Sequence, residues 1–198
     1  MTKKESFQLE FEQHVKKGLS AFPKFLSSKY IYDDRGDELF QQIMALPEYY
    51  LTNAEYTIID HHKNELRSLF ETEKGFDLIE LGAGDGKKTK VLLEELYLHS
   101  TDFTYIPIDI SQHAIDHLSM SIKNIWPEME VQGAQGTYFK VLAALSRFNK
   151  RPKIIMVLGS NIGNLSHPEA IDFLKQIQEI MSPDDTLFMG FDQKKDPY

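Results

Sequence analysis

Three glycines at alternating positions follow a short apolar run in FDLIELGAGDGKKT: Gly82, Gly84 and Gly86, with Glu80 just before them. Glycine lets a backbone turn sharply and approach a ligand with no Cβ in the way. A dinucleotide fingerprint, G-x-G-x-x-G, would need glycine at position 87, where this chain has Lys87. A turn that merely joins strand to helix is the ligand-free reading of the same residues. A second β-rich run, FTYIPIDI, carries Asp109 near its end. A carboxylate about 20 residues beyond such a loop can accept from both ribose hydroxyls of a nucleoside; capping of the next helix is its alternative. Lys88, in the first turn after the loop, suits an anionic ligand group or a solvated face. His113 and His117 have the i, i+4 spacing of metal ligands, but Ala114 stands where a zinc protease needs glutamate. They read as surface or packing residues, and no metal is expected.

These residues need a scaffold, and the chain has the material for one. Its 198 residues suggest one domain, or one domain with an elaborated end, and 41% hydrophobic with 26% charged residues is the ordinary globular balance. A net charge of −8 repels phosphate backbones, so general nucleic-acid binding is not expected. With no cysteine, disulfides, thiolate nucleophiles and Cys-ligated metals are excluded together. The apolar runs are too short to span a membrane, and the start, MTKKESFQLE, has no signal-peptide core. A cytoplasmic protein is expected; its oligomeric state is left open.

The texture changes near residue 75. Before it lie helices and loops. Leu39, Phe40, Ile43 and Leu46 share one helical face over 37–46, which Pro47 ends. Thr52 with Glu55 reads as a capping box opening a helix to about Phe70. After residue 75, strands are expected at 76–81, 103–110, 129–133, 153–158 and 186–192. Helices are expected between them at 87–98, 111–125, 138–147 and 168–181. Ser166 with Glu169 reads as a second capping box. The alternation predicts an α/β fold, a parallel Rossmann-like sheet with helices on both faces. The boundaries expected are 1–70 for an N-terminal helical part and 71–198 for a cofactor-binding part.

Glu80 followed by G-x-G-x-G resembles motif I of S-adenosylmethionine (SAM) methyltransferases. The wider set IYDDRGDELFQQIMALPEYYLTNAE, IELGAGDGKKT, PIDIS and LGSNIGNL is similar to the histidine-specific SAM-dependent methyltransferases, in the order that family has them. The match runs from about Lys29 to the end. The resemblance implies SAM as cofactor, held by Gly82, Gly84, Gly86, Lys88, Asp109, Thr137 and Tyr138. It implies a free amino acid, histidine, as substrate, methylated on its α-amino nitrogen. Tyr49, Phe40, Gly159 and Asn164 would bind that substrate, with Tyr32, Tyr49 and Asn164 at the reacting end. The N-terminal helical part would form a lid.

Two departures from the family's pattern stand out. Thr137 and Tyr138 occupy positions where members usually have Asp-Phe, and threonine keeps an acceptor for the adenine amino group but loses the charge. Members also continue past GFDQKKDP into further strands and the rest of the substrate domain. An open last strand predicts a piece of a longer protein, because a bare apolar edge invites pairing. A relative that binds without turnover is the alternative function, and a macromolecule methyltransferase on the same sheet is a third.

Overall fold

A computed structural model describes residues 3–27, 30, 34–148 and 151–193. The chain divides into two compact units, Met1–Tyr50 and Leu51–Tyr198. The first contains α1 (Lys3–Ser20) and α2 (Asp34–Met44). The chain turns back after α1 where the Phe25 N–H donates to the Gly18 carbonyl at 3.1 Å. Tyr30 then meets α1: its ring lies edge-on to Phe11 at 4.9 Å, and its hydroxyl is 2.5 Å from His14 Nδ1.

The second unit opens with α3 (Leu51–Phe70) and continues as β1 (Phe76–Leu81), α4 (Thr89–Leu98), β2 (Phe103–Asp109), α5 (Gln112–Ile125), β3 (Ala134–Gln135), α6 (Tyr138–Phe148), β4 (Lys153–Val157), α7 (His167–Ile180) and β5 (Thr186–Met189). The five strands form one sheet in the order β3-β2-β1-β4-β5. Every pairing is parallel: Phe76 opposite Phe103, Asp77 opposite Lys153, Ile154 opposite Thr186. Both faces are covered, so β1, β2 and β4 are buried along nearly their whole length rather than at alternate residues. Phe76, Leu78, Tyr105, Ile154 and Met156 pack against Phe70 of α3, Leu92 and Leu96 of α4 and Ile122 of α5. Ile79, Leu81, Ile106, Ile108, Ile155 and Val157 pack against Leu142 of α6 and Ile177 of α7. Full burial of one such side chain is worth roughly 1.5–3 kcal/mol, and these two layers are what hold the strand ends in register.

Two expectations need correction. The third strand lies at Ala134–Gln135 rather than 129–133. Tyr105 bridges Val131 and Ile108 pairs with Ala134 at the same offset, so the expected segment continues the same register with a gap between. The gap holds Gly133, where a Cβ would lie 2.2 Å from Ile115 Cγ2. α5 thus approaches this stretch too closely for a side chain at 133. The fifth strand stops at Met189, and the Gly190 N–H still donates to Val157 O before the chain leaves the sheet. At the start of α7 Glu169 reaches back to the Ser166 N–H at 2.8 Å, as that capping box requires. Among the described residues, no helix is long and apolar enough to cross a membrane.

Candidate cofactor and substrate site

The order β2-β1-β4-β5 sets four strand ends side by side, with the crossover reversing between β1 and β4. In open parallel sheets a ligand binds beyond the C-terminal ends at such a reversal. Asp109 ends β2, Gly82 follows β1, Gly159 comes two residues after β4, and Gly190 follows β5.

Gly82, Gly84 and Gly86 all have left-handed backbone, with φ of 73°, 56° and 65°. Their surroundings separate them. A Cβ on Gly82 would come 2.6 Å from the Tyr138 hydroxyl, and one on Gly86 would come 2.5 Å from Leu118 Cδ1. A Cβ on Gly84 would meet nothing within 4 Å. The loop's outer two glycines serve packing, and its middle one leaves backbone open to a ligand.

Glu80 lies under this loop, fully buried. Thr89 Oγ1 donates to its Oε1 at 2.6 Å and Tyr105 Oη to its Oε2 at 2.5 Å. Burial pushes the Glu80 carboxyl above its ordinary range, while those two hydrogen bonds and the Lys88 ammonium act the other way. Burial, followed by the charge of Glu80, pushes the Tyr105 phenol well above its own ordinary range. The network ties the end of β1 to β2 and to the first residue of α4, which fixes both ends of the glycine loop.

Asp109 is half-buried, and its Oδ1 accepts from the Ser111 N–H at 2.9 Å. Ser111 in turn caps α5, accepting from the Ala114 N–H at 3.2 Å. Thr137 is exposed and directly precedes α6, whose first residue is Tyr138. Tyr138 therefore projects its hydroxyl over Gly82.

The second loop, after β4, begins with Gly159 at φ 76° and Ser160 at φ 54°. A serine in left-handed backbone costs about 1–3 kcal/mol and persists only where its surroundings enforce it. Here Asn161 Nδ2 donates to Leu158 O at 2.9 Å, and Ser160 Oγ accepts from the Asp192 N–H at 3.1 Å. A short 3-10 turn, Asn161–Asn164, follows and leaves Asn164 exposed at its end.

Glu55 is where the sequence reading must be corrected. It does not close a capping box with Thr52. Its two oxygens accept from the Gly159 N–H at 2.9 and 2.8 Å, and Lys88 Nζ lies 2.5 Å from its Oε2. A carboxylate in the first turn of a helix looks like a cap from sequence, whereas its partners lie 33 and 104 residues away. No local cue distinguishes the two. Glu80 did carry a cue for Thr89 and Tyr105, since an acid inside an apolar strand must find donors.

Phe40 and Tyr49 belong to the first unit, where their rings meet edge to face at 5.8 Å and 81°. Tyr32 lies outside the described residues. His113 and His117 stack on each other at 6.5 Å, and no cluster able to hold a metal occurs among the described residues.

The donor set fits an S-adenosyl cofactor. Gly84 leaves open backbone on the loop, Asp109 sets a half-buried carboxylate at the end of β2, and Lys88 sets an ammonium, paired with Glu55, just after the loop. The chain matches the family model described as histidine-specific methyltransferase, SAM-dependent, over residues 11–198. It is 33% identical over 188 residues to the histidine N-alpha-methyltransferase of Mycobacterium tuberculosis, a match covering 95% of this chain and 57% of that protein. It is 34% identical over 178 residues to ergothioneine biosynthesis protein 1 of Neurospora crassa, covering 88% of this chain and 20% of that one. The chain thus spans little more than half the length of the mycobacterial relative. Among solved structures, an O-methyltransferase family protein from Burkholderia thailandensis superposes with a TM-score of 0.52 at 15% identity, covering 93% of this chain and 51% of that one. A protein of Methanococcus maripaludis assigned as an S-adenosyl-L-methionine-dependent methyltransferase gives 0.50 at 18% identity, with coverages of 80% and 64%. These two likenesses concern the fold; the family match covers nearly the whole chain, and on it the chain belongs to the histidine-specific, SAM-dependent methyltransferases.

Proposed function

We propose that the protein methylates the α-amino nitrogen of a free amino acid, histidine in the first instance. The observation that carries this reading is the meeting of two differently built loops at one reversal of the sheet. The loop after β1, with Asp109 and Lys88, suits a nucleoside bearing an amino-acid tail. The loop after β4, from Gly159 to Asn164, suits the polar end of a second amino acid. When bound, SAM supplies an electrophilic methyl group on a sulfonium, which needs neither a metal nor a covalent enzyme intermediate.

The chain's own residues would do the rest. Asp109 accepts from the ribose hydroxyls, and the loop backbone at Gly84 lies against the cofactor. Lys88 Nζ donates to the carboxylate of the cofactor's amino-acid end. Asn164 can accept from an amine and donate to a carboxylate, so one side chain can orient both polar groups of the substrate. An ammonium has no lone pair, so the site must hold the amine in its neutral form. Holding the two reactants in line supplies much of the acceleration. The family resemblance alone assigns Tyr49, Phe40 and Tyr32, from the N-terminal helical part, to the substrate. Histidine itself is supported by the family and by the name of the mycobacterial relative.

The test is a calorimetric titration with S-adenosylhomocysteine, followed by an assay for methylated histidine. Binding in the micromolar range is expected, and Asp109→Ala should weaken it by on the order of a hundredfold, two hydrogen bonds to a charged acceptor being lost. Unchanged affinity in that variant would remove Asp109 from the site. Methyl transfer to a macromolecule but to no free amino acid would overturn the substrate class.

A further inference from the structure

Glu55 takes no part in the function as drawn above, yet the structure builds a seat for it. Its carboxylate joins three segments: α3, the start of α4 through Lys88 Nζ, and the end of β4 through the Gly159 N–H. A fourth segment closes the seat. A Cβ on Gly190 would lie 2.0 Å from Glu55 Oε1. Gly190 does not have left-handed backbone, so a side chain there would act by pushing the Glu55 carboxylate out of its seat. The Glu55 and Lys88 side chains are 14% and 18% exposed, which keeps the pair largely out of solvent screening.

We infer that Glu55 is a positioning residue, which holds the Lys88 ammonium at the mouth of the glycine loop. A lysine on four rotatable bonds loses much conformational freedom when it grips a ligand. Held by Glu55, Lys88 has lost that freedom already, and two of its three N–H donors stay available. The opposite view treats Glu55 as a stand-in for a ligand carboxylate, resting on donors that a ligand would take over. The two views differ in sign: a positioning Glu55 strengthens ligand binding, whereas a stand-in competes with it. The inference rests on the proposed function only in naming the ligand that Lys88 meets.

The experiment reads Lys88 in two ways. Amine-selective acylation followed by mass spectrometry reports whether Lys88 Nζ is held, with no ligand present. Titration with S-adenosylhomocysteine reports what the holding is worth. In the wild-type chain Lys88 should react slowly. In Glu55→Gln it should react at the rate of exposed lysines, and the dissociation constant should rise on the order of tenfold. In a Lys88→Met background the same Glu55→Gln change should add nothing, as a double-mutant cycle requires of a residue acting through Lys88. Gly190→Ala displaces the carboxylate while keeping its charge and should reproduce both readings, which covers a Glu55→Gln chain that fails to fold. Unchanged Lys88 reactivity in a folded variant overturns the inference. So does tighter binding, or an effect that persists without Lys88. If the wild-type chain binds no S-adenosylhomocysteine, the proposed function falls, and the acylation rates alone decide the role of Glu55.

Discussion

The loops after β1 and β4 stand at the same edge of one sheet, and a glutamate fastens each, but the two fastenings differ in kind. Glu80 is sealed in the core and held by the hydroxyls of Thr89 and Tyr105, two neutral donors within 25 residues of it. Glu55 is partly exposed and held by a lysine ammonium and a backbone N–H, the latter 104 residues away. A carboxylate buried among neutral donors is a structural fixture whose loss leaves buried donors unpartnered. A carboxylate paired with a lysine at a cleft can instead tune what that lysine binds. The first loop is therefore expected to fail by unfolding and the second by losing affinity.

The largest effect should come from Glu80→Ala. It leaves two buried hydroxyls without acceptors and opens a cavity, which together cost about 3–4 kcal/mol in denaturant unfolding. A loss below about 1 kcal/mol would erase the contrast with Glu55.

Within the glycine loop the contrast can be sharpened. Gly86→Ala adds a Cβ against Leu118 at a left-handed residue and should lower stability by about 2 kcal/mol. Gly84→Ala meets no clash, so it should cost about 1 kcal/mol from backbone alone and weaken S-adenosylhomocysteine binding more than it weakens the fold. The reverse ranking in the two assays would place the ligand elsewhere.

The smallest effect is one of pH. The folded state keeps the Glu80 proton to higher pH than the unfolded chain, whose ordinary value is 4.5. Its contribution to stability is then fully present below about pH 4.5 and is lost as pH rises through the raised folded value. Glu80→Gln cannot titrate, so the Tm of the wild-type chain should fall relative to that of the variant as pH rises from about 4.5 towards neutrality. Parallel curves would mean that Glu80 titrates normally despite its burial.

Much of the architecture could be read directly from residue order. The limits of β1, β2 and β4 came out within a residue of expectation, because a buried parallel strand is a short apolar run bounded by turn residues, and that is a property of adjacent positions. The sharp turn of the glycine loop was legible for the same reason. The interruption of β3 at Gly133 was not, because the methyl of Ile115 that crowds it arrives from another element. Neither was the Glu55 seat, since helix α3 must pack onto the sheet before Glu55, in its second turn, can reach Gly159 and Gly190.

By itself, then, the sequence determined the order of elements, the turn chemistry of the loops and the family. Each is encoded in local pattern, where side-chain period and backbone preference act over a few residues. Only the tertiary structure decided which glycines face open space and which face packed atoms. It also decided that the carboxylate reading as a helix cap is the counter-ion of Lys88. Such facts depend on distances between segments far apart in the chain, which exist only after the two packed layers have closed over the sheet.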